Sequence, residues 1–352
     1  MIATLFNTQG LNTQRLPWID YAKGLAIVLV VYRHVANGID RAGITMPQWV
    51  DMVQQSVYNF RMPLFFILAG MFVCRSLQKR SIREFLKYKL HSIMYPYFLW
   101  GCFQVGIQVF FSQYANSDRG LQDFLYLLYL PREIDQFWFL YTLFNVTVLF
   151  ALFQFYAQPK PWMQLLLATG FYWISTMDGL QNYSLIQDTL NFYLYFALGN
   201  FVADGLLNKN NYSIFSSKRL LLVLSPLFLL SQWYWIQHPD LRMAQPFVFA
   251  GIAVLGSAFL FNLSFLFQKH KVLQVLRIIG NHSLYIYIMH VIVMAATRIV
   301  LMKFLGISQW QVLLGVGVLF GIFLPVIMYN LSNQLGCWFL YRPDKPKTLQ
   351  RA

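Results

Sequence analysis

Residues 18–39 read WIDYAKGLAIVLVVYRHVANGI. The run is apolar and long enough to cross a hydrocarbon core of about 30 Å, which takes roughly 17–25 residues. It nevertheless carries Asp20, Lys23, Arg33 and His34. Ionisable groups at membrane depth are costly, so they face a protein interior or a water-filled cavity and mark pathways and sites. Lys23 and His34 stand eleven residues apart. At about 100° per residue that returns to within roughly 20° of one helix face, about 16 Å further along the axis. One helix thus presents an ammonium near one membrane surface and an imidazole near the other.

The rest of the chain has the same character. Of 352 residues 58% are hydrophobic and 11% charged, against about 25% charged in a typical soluble domain. Cys74, Cys102 and Cys337 lie singly in or beside apolar runs, with no metal-binding or redox spacing. Residues 1–17 are polar, hold only Arg15 as a basic group and lack a small-residue cleavage site, which predicts a short tail before a retained helix.

Apolar runs of spanning length fall near 18–39, 57–75, 92–112, 136–156, 161–177, 189–207, 219–237, 245–267, 282–305 and 310–333. With the N-terminus inside, alternate loops and tails hold eighteen basic residues, among them the dense run Arg75, Lys79, Arg80, Arg83, Lys87 and Lys89. The outer loops hold five basic residues but nine of the thirteen acids. Lys23, Arg33, Arg61 and Arg298 remain within spans. Such a bias places both termini, including a tail over about 342–352, in the cytoplasm. The net charge of +14 is therefore membrane orientation and not a nucleic-acid stripe. The expected fold is all-α: a polytopic integral membrane protein of about ten transmembrane helices in a single domain over 1–352.

Depth follows from helical rise. His34 lies about 24 Å above Trp18, and Arg61 about 6 Å below the outer surface, so the two are level. Trp138, Tyr141 and Asn145 form one stripe near the outer end of the fourth span. Asn37 stands one turn above His34. Nearer the inner surface, Lys23 has Asp20 at i−3. In the ninth span Ser283, Tyr287 and His290 share a face, with His290 about 12 Å up. Each of these has a plainer reading. Arg61 can snorkel, Trp138 and Tyr141 suit an aromatic belt, Lys23 and Asp20 suit a structural ion pair, and orientation alone accounts for the basic run. Taken together, polar groups from at least four spans favour a site.

These stretches resemble the membrane acyltransferase 3 family. WIDYAKGLAIVLVVYRH at 18–34 is similar to its first-helix signature, a basic residue ten intervening positions before a His. The WIDxxKG form is nearest to the fucose 4-O-acetylase-like and exopolysaccharide O-acetyltransferase branch. NFRMPLFFILAG at 59–70, YPYFLW at 95–100, WFLYTLF at 138–144 and GNHSLYIYIMH at 280–290 fit in order. Two positions depart: many relatives carry His where Arg61 stands and Gly where Arg33 stands. No appended SGNH-type domain is expected.

The resemblance implies a membrane-embedded O-acyltransferase of the bacterial inner (plasma) membrane. It would move an acyl group, acetyl first, from cytosolic acyl-CoA to a hydroxyl of an exported or cell-surface glycan. Lys23, Asp20, His290 and Tyr287 would serve the donor. His34 would act as general base or carry the acyl group itself. Arg61, Arg33 or Tyr141 would stabilise the developing oxyanion. Asn37, Asn59, Trp138, Tyr141 and Asn145 would line the acceptor site. Asn37, Asn59 or Asp135 would orient His34. No metal is implied, and the expected partners are the bilayer, the glycan and glycan-assembly proteins. The rival class is a transporter or flippase for a polysaccharide or lipid-linked glycan, which two levels of polar groups would also suit. Paired helices broken by Gly or Pro at matching positions of two halves, its usual mark, are not evident.

Overall fold

The computed structural model describes residues 16–111, 120–180 and 183–344, and among them all regular structure is helical. Ten principal helices follow the chain: α1 (Pro17–Asp40), α2 (Tyr58–Gly70), α3 (Tyr95–Phe110), α4 (Trp138–Tyr156), α5 (Pro161–Ser175), α6 (Ser184–Leu207), α7 (Lys218–Gln237), α8 (Pro246–His270), α9 (Ser283–Ile299) and α10 (Trp310–Gln334). Among the described residues seven runs are long and apolar enough to cross a membrane: those holding α1, α2, α4, α7, α8, α9 and α10. The other three predicted spans are helical as well. However, α3 and α5 have 16 and 15 residues, and Asn191, Asn200 and Asp204 interrupt the apolar run of α6. Most of the two tails, 1–15 and 345–352, lies outside the described residues.

Helices span lipid because each satisfies its backbone hydrogen bonds internally. Their outer surfaces stay apolar: α7 exposes Leu222, Val223, Leu227, Leu229, Leu230 and Trp233, and of its side chains only Gln232 is buried.

The chain forms two compact units. The first gathers residues up to Gln54, His91–Trp138 and the chain from Leu273 onward. Its centre is α1, packed by α9, α10 and the short helix Gln274–Asn281. Gly24 and Gly280 allow that short helix to touch α1 backbone to backbone. A Cβ on either would overlap a carbonyl oxygen, of Leu276 and of Asp20 respectively. Small residues at such crossings let membrane helices pack by close van der Waals contact.

The second unit comprises Gln55–Leu90 and Phe139–Val272. The same device joins α2 to α6, where Gly70 and Gly199 sit against the carbonyls of Phe196 and Ile67. Phe66 stacks on Phe192 at 4.5 Å in this seam. Ahead of α3 in the chain, the amphipathic helix Ile82–Lys89 starts in a capping box between Ser81 and Glu84.

Candidate active site

In the first unit α1 carries Asp20, Lys23, Arg33, His34 and Asn37, as the eleven-residue spacing requires. Asp20 is buried, and the other four are half-buried. The His34 ring lies against the ring of His290 on α9, with centroids 5.0 Å apart and planes at 67°. Helical rise alone puts these two imidazoles on different levels. They meet because Gly280 already packs against the Asp20–Gly24 stretch of α1. The chain breaks at His282 between the short helix and α9, so α9 starts well above the foot of α1. Ten residues of rise from Gly280 then bring His290 to the height of His34.

His290 is wholly buried. Its Nδ1 lies 3.0 Å from the Ile286 carbonyl and 2.8 Å from that of Tyr287. Carbonyl oxygens only accept, so Nδ1 carries the proton. Nε2 therefore holds the lone pair of the neutral ring, and among the described residues it is buried without a hydrogen-bond partner. A buried acceptor left in that state is uncommon and calls for an explanation.

Beside this pair, a polar network crosses the unit. The Tyr287 hydroxyl donates to the Gln136 carbonyl. The Gln136 and Gln104 amides pair, Nε2 of Gln136 to Oε1 of Gln104 at 2.9 Å. Nε2 of Gln104 and of Gln108 approach Asp135 Oδ2 at 3.2 and 3.1 Å. Arg41, just past α1, sits 3.6 Å from Asp135 Oδ1. Asp135 holds a left-handed backbone, φ 43°, which Asp tolerates better than most residues. Gln104 and Gln108 escaped the sequence reading, although two amides at i and i+4 in an apolar span were a legible signal.

A narrow, partly open recess, with room inside for little more than a water molecule, lies beside the His34 imidazole. It is lined by His34, Val35, Gly38 and Ile39 of α1, Met294 and Arg298 of α9, and Leu313 and Gly317 of α10. Arg298 was counted in the sequence only as a cation within a span. Trp138, at the edge of the unit, has the Arg132 guanidinium 4.4 Å over its ring.

Four predicted site residues belong to the second unit. Asn59 is buried and donates from Nδ2 to Gln232 Oε1 at 2.8 Å. Arg61 is buried with its guanidinium carbon 5.5 Å from the Tyr58 ring centroid. Tyr141 and Asn145 are half-buried on α4. The structure thus groups His34, His290, Tyr287 and the α1 residues around one centre, and Asn59, Arg61, Tyr141 and Asn145 within the other unit.

Neither a curated protein nor a solved structure matches the chain. The acyltransferase domain family does, over residues 16–330. That stretch holds all ten helices apart from the last turn of α10, so the chain belongs to the acyltransferase 3 family and is a membrane-embedded acyltransferase.

Proposed function

We propose that the protein is an O-acetyltransferase of the bacterial inner membrane, moving an acetyl group from cytosolic acetyl-CoA to a hydroxyl of an exported glycan. The reading includes ten spans, both termini in the cytoplasm, and glycan-assembly proteins as neighbours in the membrane. One observation carries it: His34 lines a recess and touches a second imidazole whose protonation pattern is fixed by two carbonyls.

The chemistry needs a nucleophilic oxygen and a departing thiolate. His34 takes the hydroxyl proton as the oxygen attacks the thioester carbonyl, the C–O bond forms, and the C–S bond breaks. The alternative is an acyl-imidazole on His34, attacked in turn by the hydroxyl. In either course His290 Nε2 provides a basic nitrogen beside His34, while its Nδ1–H bonds keep the ring from turning. Arg33, on the same helix as His34, stabilises the oxyanion. Asn37 and Trp138, of the same unit, complete the acceptor side.

The donor's phosphates match cations at the inner end of the first unit. Lys23 stands on α1, and Arg277 lies on the short helix packed against it, near enough for its charge to act on Tyr21. Lys serves phosphate as a point charge. Asp20 and Tyr287 complete this side.

The test uses proteoliposomes with labelled acetyl-CoA on the cytoplasmic face and an added glycan. Label passing to the glycan in the wild type, and not in His34→Ala, is the expected result. A folded wild type that neither binds nor hydrolyses acetyl- or succinyl-CoA would sink the proposal.

A further inference from the structure

Arg298 ends α9 as the only basic residue of its last turn. It is half-buried in a span, where a guanidinium is expensive to keep. No carboxylate oxygen among the described residues lies within ion-pair distance of it. Its one hydrogen bond there runs from Nη1 to the Gly38 carbonyl at 2.6 Å. Gly38 is one turn beyond His34, and the seat depends on glycine, because a Cβ at 38 would stand 2.7 Å from Nη1. Residues 38 and 298 thus fix a guanidinium at the lip of the recess that His34 also lines.

One carbonyl occupies one of five N–H donors. The others belong to a planar fork that suits carboxylate and phosphate. The remaining walls of the recess, Val35, Ile39, Met294 and Leu313, offer no acid to neutralise it. Arg41 adds a positive charge that acts on Arg298, although Arg41 itself is engaged by Asp135. A recess with an imidazole and a held guanidinium as its polar groups selects an anion with an apolar flank.

We propose that the guanidinium at the open mouth of this recess binds the anionic group of an acidic acceptor sugar, a carboxylate or a phosphate, and so presents the sugar's hydroxyl to His34. The inference rests on the acyl-transfer reading for the role of the bound sugar, but not for the binding itself. Arg298 is then the residue that sets acceptor class.

The experiment measures calorimetric binding of methyl glucuronoside, methyl glucoside 6-phosphate and neutral methyl glucoside to the purified full chain in nanodiscs. A hydrogen-bonded charge contributes about 1.5–3 kcal/mol, so the anionic sugars should bind roughly ten- to a hundredfold tighter than the neutral one. The glucuronoside and phosphate arms tell which anion is preferred. Arg298→Gln should erase the preference, Arg298→Lys should restore part of it, and Gly38→Ala, which displaces the guanidinium without removing it, should weaken it. Should Arg298→Gln fail to fold, the Lys and Ala variants decide the matter. Equal binding of all three sugars by the wild type, or a preference unchanged in these variants, overturns the proposal. Acetyl-CoA turnover in the same nanodiscs is scored separately. Its absence would count against acyl transfer while the binding result stood.

Discussion

At the scale of the residue, the imidazole pair has the sharpest consequences. His34→Ala should lower turnover by about a hundredfold or more, the usual reach of a general base, with donor binding retained in a filter assay. His290→Asn keeps an N–H for the carbonyls of Ile286 and Tyr287 but lacks the basic nitrogen. Its turnover should fall at least about tenfold while the melting temperature in detergent stays near that of the wild type; equal turnover would assign His290 to packing. Lys89 supplies a pH test away from the spans. Burial, with Arg80 nearby, pulls its ammonium down to about 8, against about 10.4 in the unfolded chain. Below pH 8 both states hold the proton, and the fold bears the whole cost of the enclosed charge. Between about 8 and 10.4 the folded state releases it first, so stability rises with pH. The melting temperature of the wild type should climb over that window relative to Lys89→Met, modestly, since Lys89 keeps part of its surface open.

At the scale of the element, the helices were legible because each predicted span is a long apolar run, and the structure has a helix in all ten places. The face shared by Lys23 and His34 follows from periodicity within one helix. Contacts between helices did not follow. The meeting of His34 with His290 depends on where α9 begins relative to α1, and the Gly24–Gly280 crossing sets that. No count of residues from a membrane surface contains this offset. Arg298 was similarly opaque: its significance lies in a carbonyl 260 positions away. The crossing itself is testable. Gly280→Ala would drive a methyl group into the Asp20 carbonyl, with overpacking costs of about 1–3 kcal/mol. Lower yield, a lower melting temperature and a raised KM for acetyl-CoA should appear together. An unchanged KM would detach Lys23 from donor binding.

For the whole molecule, the count of spans decides the side on which the chain ends. Seven runs qualify by length and apolarity among the described residues, whereas the charge alternation requires ten. An odd count would part the termini and an even one would keep them together. A fluorescent protein fused after Ala352 should therefore shine in the cytoplasm, and alkaline phosphatase fused there should stay inactive. Active phosphatase at that end would remove one span from the proposal, α5 first, because it is the shortest of the three helices that fall outside the seven qualifying runs.

The first unit is assembled from three separated stretches of chain, and this imposes a schedule on its birth. At 5–20 residues per second, Gly24 leaves the ribosome roughly 13–50 s before Gly280, about 250 residues behind it. Throughout that interval the helix bearing Asp20, Lys23 and His34 stands in the bilayer without the surfaces that finally enclose it. The helix made first is the last to be finished. A ribosome that stalls anywhere before Leu273 releases a chain whose costliest helix has no partner, a ready target for membrane proteases, whereas a pause after Asn330 comes too late to matter.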